Sequence, residues 1–319
     1  MKSVEIFVLF LLLPIVETGV FDFFSGLFDN DKLLPFDSEE FKKDLRKSLY
    51  GQHIASKKIL KAVSGFMKDP NPPKPLVLSL HGPSGVGKTY VTKIIARNIY
   101  QMGQESKHVH TFSATYHFPH KKQMESAMYE SQLKQWIHGN VSSFPHSMFI
   151  FDETEKMNPQ LIESIKPFLD YMPHIDGVSF RKAIFIFLSN AGQNGIINFA
   201  LDFWKKGKVR EEIQINTEEM EMLVYEHILI EKSSGDSQSC LLYQHLVDHI
   251  IPFLPLELRH VQACVLAEMS SLNVIDLDVA HTVAKEMSYY PPEEKIFSVR
   301  GCKSIRQKLM LHIDERDII

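Results

Sequence analysis

Apolar residues along this chain recur in two spacings that alternate with one another. Short branched or aromatic runs read as strands: Val77-Leu78-Ser79-Leu80-His81, Val109 to Ser113, Ser147 to Phe151, and Ala183-Ile184-Phe185-Ile186-Phe187-Leu188-Ser189-Asn190. The last is almost continuously apolar, as expected of a strand buried on both faces. Between the runs, apolar positions fall on one side of a helix. Such segments are Lys93 to Tyr100, Glu125 to His138 with Met128, Leu133, Trp136 and Ile137, and Pro159 to Tyr171 with Leu161, Ile162, Ile165 and Phe168. Strands alternating with helices predict an α/β fold whose parallel sheet carries its ligand site at the carboxyl ends of the strands. From Pro255 onward the pattern becomes helical, most clearly over Leu256 to Met269 and Asp276 to Met287. The expected organisation is an α/β body over residues 40–254 and a small helical domain over 255–319.

The first strand runs directly into Gly82-Pro83-Ser84-Gly85-Val86-Gly87-Lys88-Thr89 and then into a helix. That order of strand, Gly-x-x-x-x-Gly-Lys-Thr and helix is what a P-loop requires. Glycines let backbone N–H groups turn inward onto phosphate oxygens, and the helix adds the positive end of its dipole. Lys88 is expected to reach the β- and γ-phosphates, and Thr89 to hold Mg²⁺. A second apolar run ends in Asp152-Glu153, a Walker B pattern. Asp152 is expected to bind Mg²⁺ through its water shell and Glu153 to orient or deprotonate an attacking water. Two adjacent acids point to hydrolysis, because a nucleotide kinase uses a second substrate as acceptor. By position along their strands, Lys88, Asp152 and Asn190 fall on one rim of the sheet.

Composition narrows the class without naming a reaction. The chain has 319 residues, 44% apolar and 23% charged, with a net charge of −4. That length suggests about two domains, and the lack of a basic surplus argues against electrostatic nucleic-acid binding. Lys2 followed by the apolar run Ile6 to Ile15 and by Glu17-Thr18-Gly19 reads as a secretory signal over residues 1–19; the alternatives are a retained anchor or a buried first helix. The run is too short to span a bilayer, which takes about 20 residues. Residues 20–39 begin with the aromatic-rich stretch Val20 to Phe28, which either touches a membrane peripherally or packs on the domain. In a secretory setting Asn140-Val141-Ser142 is a glycosylation acceptor, expected in a loop between helix and strand. The three cysteines, Cys240, Cys264 and Cys302, allow one disulfide and a free thiol but no metal spacing.

These motifs recur in order in a known family. Gly82 to Thr89, Phe149-Ile150-Phe151-Asp152-Glu153, Phe187-Leu188-Ser189-Asn190 and Gly301-Cys302-Lys303 resemble the torsins, as do Leu49 to Ala55, His117-Phe118-Pro119-His120, Ile165 to Tyr171, Leu201-Asp202-Phe203-Trp204 and Pro252 to Leu256. The likeness runs from about residue 40 to about 312. Torsins are AAA+ ATPases of the endoplasmic reticulum lumen and nuclear envelope, related to Clp-type remodelling proteins. The resemblance implies an AAA+ P-loop domain with a central parallel sheet flanked by helices, a small helical domain behind it, ATP and Mg²⁺ as cofactors, and a homo- or hetero-oligomeric ring. It places Lys88 and Thr89 at Walker A, Asp152 and Glu153 at Walker B, Asn190 at sensor 1, where it is expected to help place the water near the γ-phosphate, and Lys303 at sensor 2, reaching the nucleotide from the small domain. It also suggests Cys264 and Cys302 as a redox-sensitive pair whose state shifts Lys303.

Three departures sharpen the expectation. Thr89 stands where many torsins have asparagine, which favours ordinary Mg²⁺ ligation. Leu246, in Gln244-His245-Leu246-Val247-Asp248, stands where Clp relatives place an arginine before Ile-Asp to reach a neighbour's γ-phosphate. Losing such a finger costs on the order of a thousandfold in rate, so the chain alone is expected to be a poor ATPase. The resemblance supplies the remedy, since torsins are activated by lumenal domains of nuclear-envelope and reticulum membrane proteins. The cluster Lys205, Lys206, Lys208 and Arg210 reads as a solvated helix end rather than a finger. Tyr116 to Lys121 replaces the pore loop that threading relatives use. The expected function is a partner-activated ATPase that remodels protein or membrane assemblies. The alternatives are a nucleotide-gated binding or scaffold module with little hydrolysis and, disfavoured by Glu153 and Asn190, a small-molecule phosphotransferase.

Overall fold

Each of the four apolar runs forms a strand, and a fifth joins them in one parallel sheet. The computed structural model describes residues 31–119, 123–213, 222–226 and 246–313. The expected leader, the aromatic stretch 20–28, Cys240 and residues 244–245 lie outside the described residues. The strands are β1 (Leu76–His81), β2 (Val109–Ser113), β3 (Met148–Asp152), β4 (Ile184–Ser189) and β5 (His249–Pro252), in the order β2-β3-β4-β1-β5. All four pairings are parallel. The sequence pattern did not announce β5, which is short and ends in Pro252, a residue tolerated there because the strand is at the sheet's edge.

Strand alternation sorts the core into two chemically different layers. Leu76, Leu78, Leu80, Ile184, Ile186 and Leu188 face one side, where an aliphatic cluster receives α1 (Ser38–Ser48), α2 (His53–Lys68) and α3 (Lys88–Ile99). Phe149, Phe151, Phe185 and Phe187 face the other, against α5 (Gln123–Ser143) and α6 (Pro159–Ile165). Parallel register stacks these rings: Phe149 on Phe185 at 5.0 Å, Phe151 on Phe187 at 5.1 Å, and Phe112 on Phe151 at 5.2 Å between centroids. All four inner rings are buried, so each contributes about 2 to 3 kcal/mol of burial before ring–ring attraction is counted.

Helix ends follow local chemistry. Asp37 caps α1 by accepting the N–H groups of Glu39 and Glu40, and Asn158 with Pro159 opens α6. The helix expected to run to Tyr171 instead ends at Ile165 and tightens into a 3₁₀ turn over Lys166–Leu169. Pro167 has no N–H to continue the α-helical ladder. The loop expected around Asn140 is corrected: α5 continues to Ser143, Val141 is buried, and Asn140 Nδ2 donates to the Trp136 carbonyl at 2.8 Å.

Beyond β5 the chain forms α8 (Leu258–Ser271), α9 (Leu277–Lys285), a two-residue hairpin of β6 (Tyr289–Tyr290) with β7 (Phe297–Ser298), and α10 (Ile305–Leu309). The hairpin is an addition to the purely helical expectation. Val261, Val265, Met269, Val283, Ile305 and Leu309 join the same aliphatic cluster as α1 to α3. Between β4 and β5 lies α7 (Gln193–Lys205), and between β2 and α5 the single turn α4 (Ala114–His117). No described helix is long and apolar enough to cross a membrane.

Candidate functional site

The carboxyl rim of the sheet collects side chains from separate elements. Lys88 opens α3 behind Gly87, whose φ of 104° favours glycine. Its ammonium is buried and donates to the carbonyls of Gly82 (2.6 Å) and Pro83 (2.8 Å) and to Asn190 Oδ1 (2.9 Å). Burial pulls its pKa down to about 8, against the carboxylates of Glu155 and Asp152, while nearby Lys303 lowers it further. An anion placed on this ammonium is attracted at short range in a setting with little water to screen it.

Thr89 and Asp152 meet across the same rim, with Thr89 Oγ1 donating to Asp152 Oδ2 at 3.4 Å. A hydroxyl and a carboxylate converging beside a phosphate-type loop form an oxygen-only donor set, which fits Mg²⁺ and suits softer metals poorly. Glu153 follows in a left-handed conformation, φ 58° and ψ 41°, which costs a non-glycine residue roughly 1 to 2 kcal/mol. Its carboxylate accepts from Lys156 and Thr115 and, at 3.4 Å, from Ser113 Oγ. Lys156 and Thr115 hold its pKa below the ordinary value, so it is an ionised base.

The P-loop is wedged between β5 and the C-terminal segment. A Cβ on Gly82 would stand 2.4 Å from the Phe253 carbonyl oxygen, and one on Gly85 only 1.9 Å from that of Arg300. Cys302 N donates to Gly85 O at 2.9 Å, and Cys302 is bonded to Cys264 of α8. Lys303 is exposed beside the loop. Gln52 ties the region together, donating to Val86 O (3.2 Å) and Leu254 O (2.8 Å) and accepting from Leu254 N (2.9 Å).

The structure thus brings Lys88, Thr89, Asp152, Glu153, Asn190 and Lys303 to one rim and joins Cys264 to Cys302. Asn140 is remote in its helix. Leu246 is half-buried and packs with Val247 against the aromatic layer. The basic cluster divides: Lys205, Lys206 and Lys208 are exposed, but Arg210 is buried and donates to the carbonyls of Gly51 (2.9 Å) and Pro255 (2.6 Å). Reading Arg210 as part of a solvated helix end is therefore corrected; it is an internal strut. Two groups of residues escaped the sequence reading. Thr115, Ser113 and Lys156 hold Glu153, and Glu155 holds Asn190; the only trace of the latter in the sequence is a further carboxylate and a lysine right after Asp152-Glu153.

Comparison with known proteins bears on the family and the fold. A family model described as Torsin matches residues 24–151, and one described as Torsin-1A, C-terminal domain, matches residues 256–312; together they span more than half of the chain. The fold is similar to that of Hsp104 in the S. cerevisiae Hsp104–ADP complex, with a TM-score of 0.59 and 18% identity over 86% of this chain and 46% of that one. It is likewise similar to the closed-state reconstruction of Hsp104 with ATPγS and FITC casein, with a TM-score of 0.58 and 17% identity over the same shares. The chain spans about half the length of these relatives, and at such identity the likeness is one of fold.

Proposed function

Because this chain belongs to the torsin family and has an AAA+ α/β fold with a helical C-terminal part, we propose that it binds and hydrolyses ATP with Mg²⁺ in the reticulum lumen and nuclear envelope, to remodel protein or membrane assemblies. The observation that carries this reading is the convergence of Lys88, Asp152, Glu153 and Asn190 at the ends of neighbouring strands. A bound triphosphate with its metal supplies the phosphoanhydride to be broken. Lys88 would exchange its loop carbonyls for phosphate oxygens, Thr89 and Asp152 would hold the metal, which would screen the phosphate charge, and Glu153 would accept a proton from the attacking water. Lys303 adds a positive charge from the C-terminal side.

The final charge comes from outside. Leu246 occupies the place of the arginine finger and is packed into an apolar layer, while Arg210 is buried. A membrane-anchored lumenal activator is therefore proposed to supply the arginine within a mixed ring. The Cys264–Cys302 disulfide supports the lumenal location, since such bonds persist in oxidising compartments. Leu246 equally favours the second reading, a nucleotide-gated scaffold with little hydrolysis; stimulation of turnover by an activator separates the two. The direct test is Glu153→Gln in the presence of a stimulating lumenal activator, expected to retain Mg·ATP through gel filtration while the activated wild-type chain releases ADP. A variant that turns over at the wild-type rate removes Glu153 from its assigned role.

A further inference from the structure

Glu155 stands two residues beyond Glu153 and none of the steps above uses it. Its Oε1 accepts from Asn190 Nδ2 at 3.0 Å. Its Oε2 accepts from the Asn190 backbone N–H at 3.2 Å and from Ser189 Oγ at 3.1 Å. The carboxylate thus spans the end of β4, gripping the side chain and main chain of one residue. On its other side, Asn190 Oδ1 accepts from Lys88 at 2.9 Å.

A carboxylate only accepts hydrogen bonds and an ammonium only donates them. Between the two, the Asn190 amide has a single orientation that satisfies both, with NH₂ on Glu155 and oxygen toward the P-loop. The opposite flip would set oxygen against carboxylate and NH₂ against ammonium. We propose that Glu155 is a positioning residue for ATP hydrolysis, fixing the Asn190 amide so that it offers the γ-phosphate site an oxygen and withholds its NH₂. So held, Asn190 repels a phosphate oxygen but accepts from Lys88 or from the attacking water, whose lone pair it thereby aims. The inference rests on the nucleotide reading given above, in which Asn190 at sensor 1 helps place the water, and adds that Glu155 fixes which end of the amide faces that water, with no share in holding phosphate.

Glu155→Gln tests it, because glutamine keeps the volume but presents both a donor and an acceptor and so no longer dictates the flip. Misplacement of one reacting group by about 1 Å costs up to a hundredfold in rate. Activated turnover is therefore expected to fall ten- to a hundredfold, with the Kd for Mg·ATP held within threefold and an unchanged melting temperature. Asn190→Ala is expected to leave the Kd similarly intact, and the double variant to be no slower than Asn190→Ala alone, since the two side chains act as a unit. A second readout needs no nucleotide. In ¹⁵N-asparagine-labelled chain, the side-chain NH₂ pair identified by its loss in Asn190→Ala is expected downfield and slow to exchange, and Glu155→Gln is expected to move it upfield and speed its exchange. Wild-type turnover in Glu155→Gln, additive losses in the double variant, or an unmoved NH₂ pair would each overturn the proposal. Failure of the wild-type chain to bind Mg·ATP would sink the nucleotide reading instead, while the NH₂ signal still judges the grip of Glu155 on Asn190.

Discussion

Lys88 shows how a single residue type acquires its role from burial. An exposed lysine is a screened charge, whereas this ammonium is 8% exposed and held by two loop carbonyls and an amide oxygen, so an arriving phosphate replaces neutral acceptors with a charged one. His260 follows the same physics with opposite effect. It is buried, its Nδ1 accepts from Glu257 N at 3.2 Å, and its ring fills the space a side chain on Gly51 would need. Burial, then the charges of Arg210 and Arg259, push its pKa down to about 3. The unfolded chain takes up a proton near pH 6.5 that the folded chain refuses until about pH 3. Stability is therefore whole above pH 6.5 and lost as pH falls through that window, by on the order of 2 kcal/mol at pH 5. Urea midpoints at pH 7.5 and 5.0 are expected to show this loss, and His260→Gln to reduce it; equal slopes for both proteins would refute the assignment.

At the scale of elements, the contact between the P-loop and the turn at Arg300 to Lys303 joins two segments far apart in the sequence. Gly85 and Gly301 approach each other so closely that a Cβ on Gly301 would stand 2.3 Å from Gly85 O. Only two glycines facing one another permit this. The disulfide then ties the turn to α8 across a sequence separation of 38. Its reduction, or Cys264→Ser, is expected to destabilise the chain by about 3 kcal/mol. The same change is expected to loosen the turn that carries Lys303 and to weaken Mg·ATP binding several-fold, as read by titration calorimetry with and without a reductant. An unchanged affinity would confine the bond to a stabilising role. The elements themselves were legible to different degrees. β4 declared itself by its unbroken apolar run, and α6 by its periodicity, but the early end of α6 turned on Pro167 and β5 was too short to carry a pattern.

For the whole molecule, the proposed function leaves the rim one cation short, to be supplied from outside. The chain alone is expected to hydrolyse ATP slowly, and a lumenal partner recovered on the Glu153→Gln trap to raise turnover about a thousandfold through one arginine. Replacing that arginine by alanine in the partner would abolish the stimulation while leaving the complex intact. Stimulation that survives the change would mean that the missing charge comes from elsewhere, such as a second copy of this chain.

The sequence by itself determined the parallel sheet, the P-loop, the acidic strand end and the rim to which Asn190 belongs, because each is written locally: in alternation, in glycine spacing, or in a polar residue closing an apolar run. Tertiary structure alone decided that Arg210 is an inner strut, that Glu155 grips Asn190, that Thr115 shares Glu153 with Lys156, and that Gly85 meets Gly301. These are pairings between elements far apart in the chain, between residue types common anywhere on a surface. What gives such residues a role is the side chain that folding places beside them, and no local pattern records that neighbour.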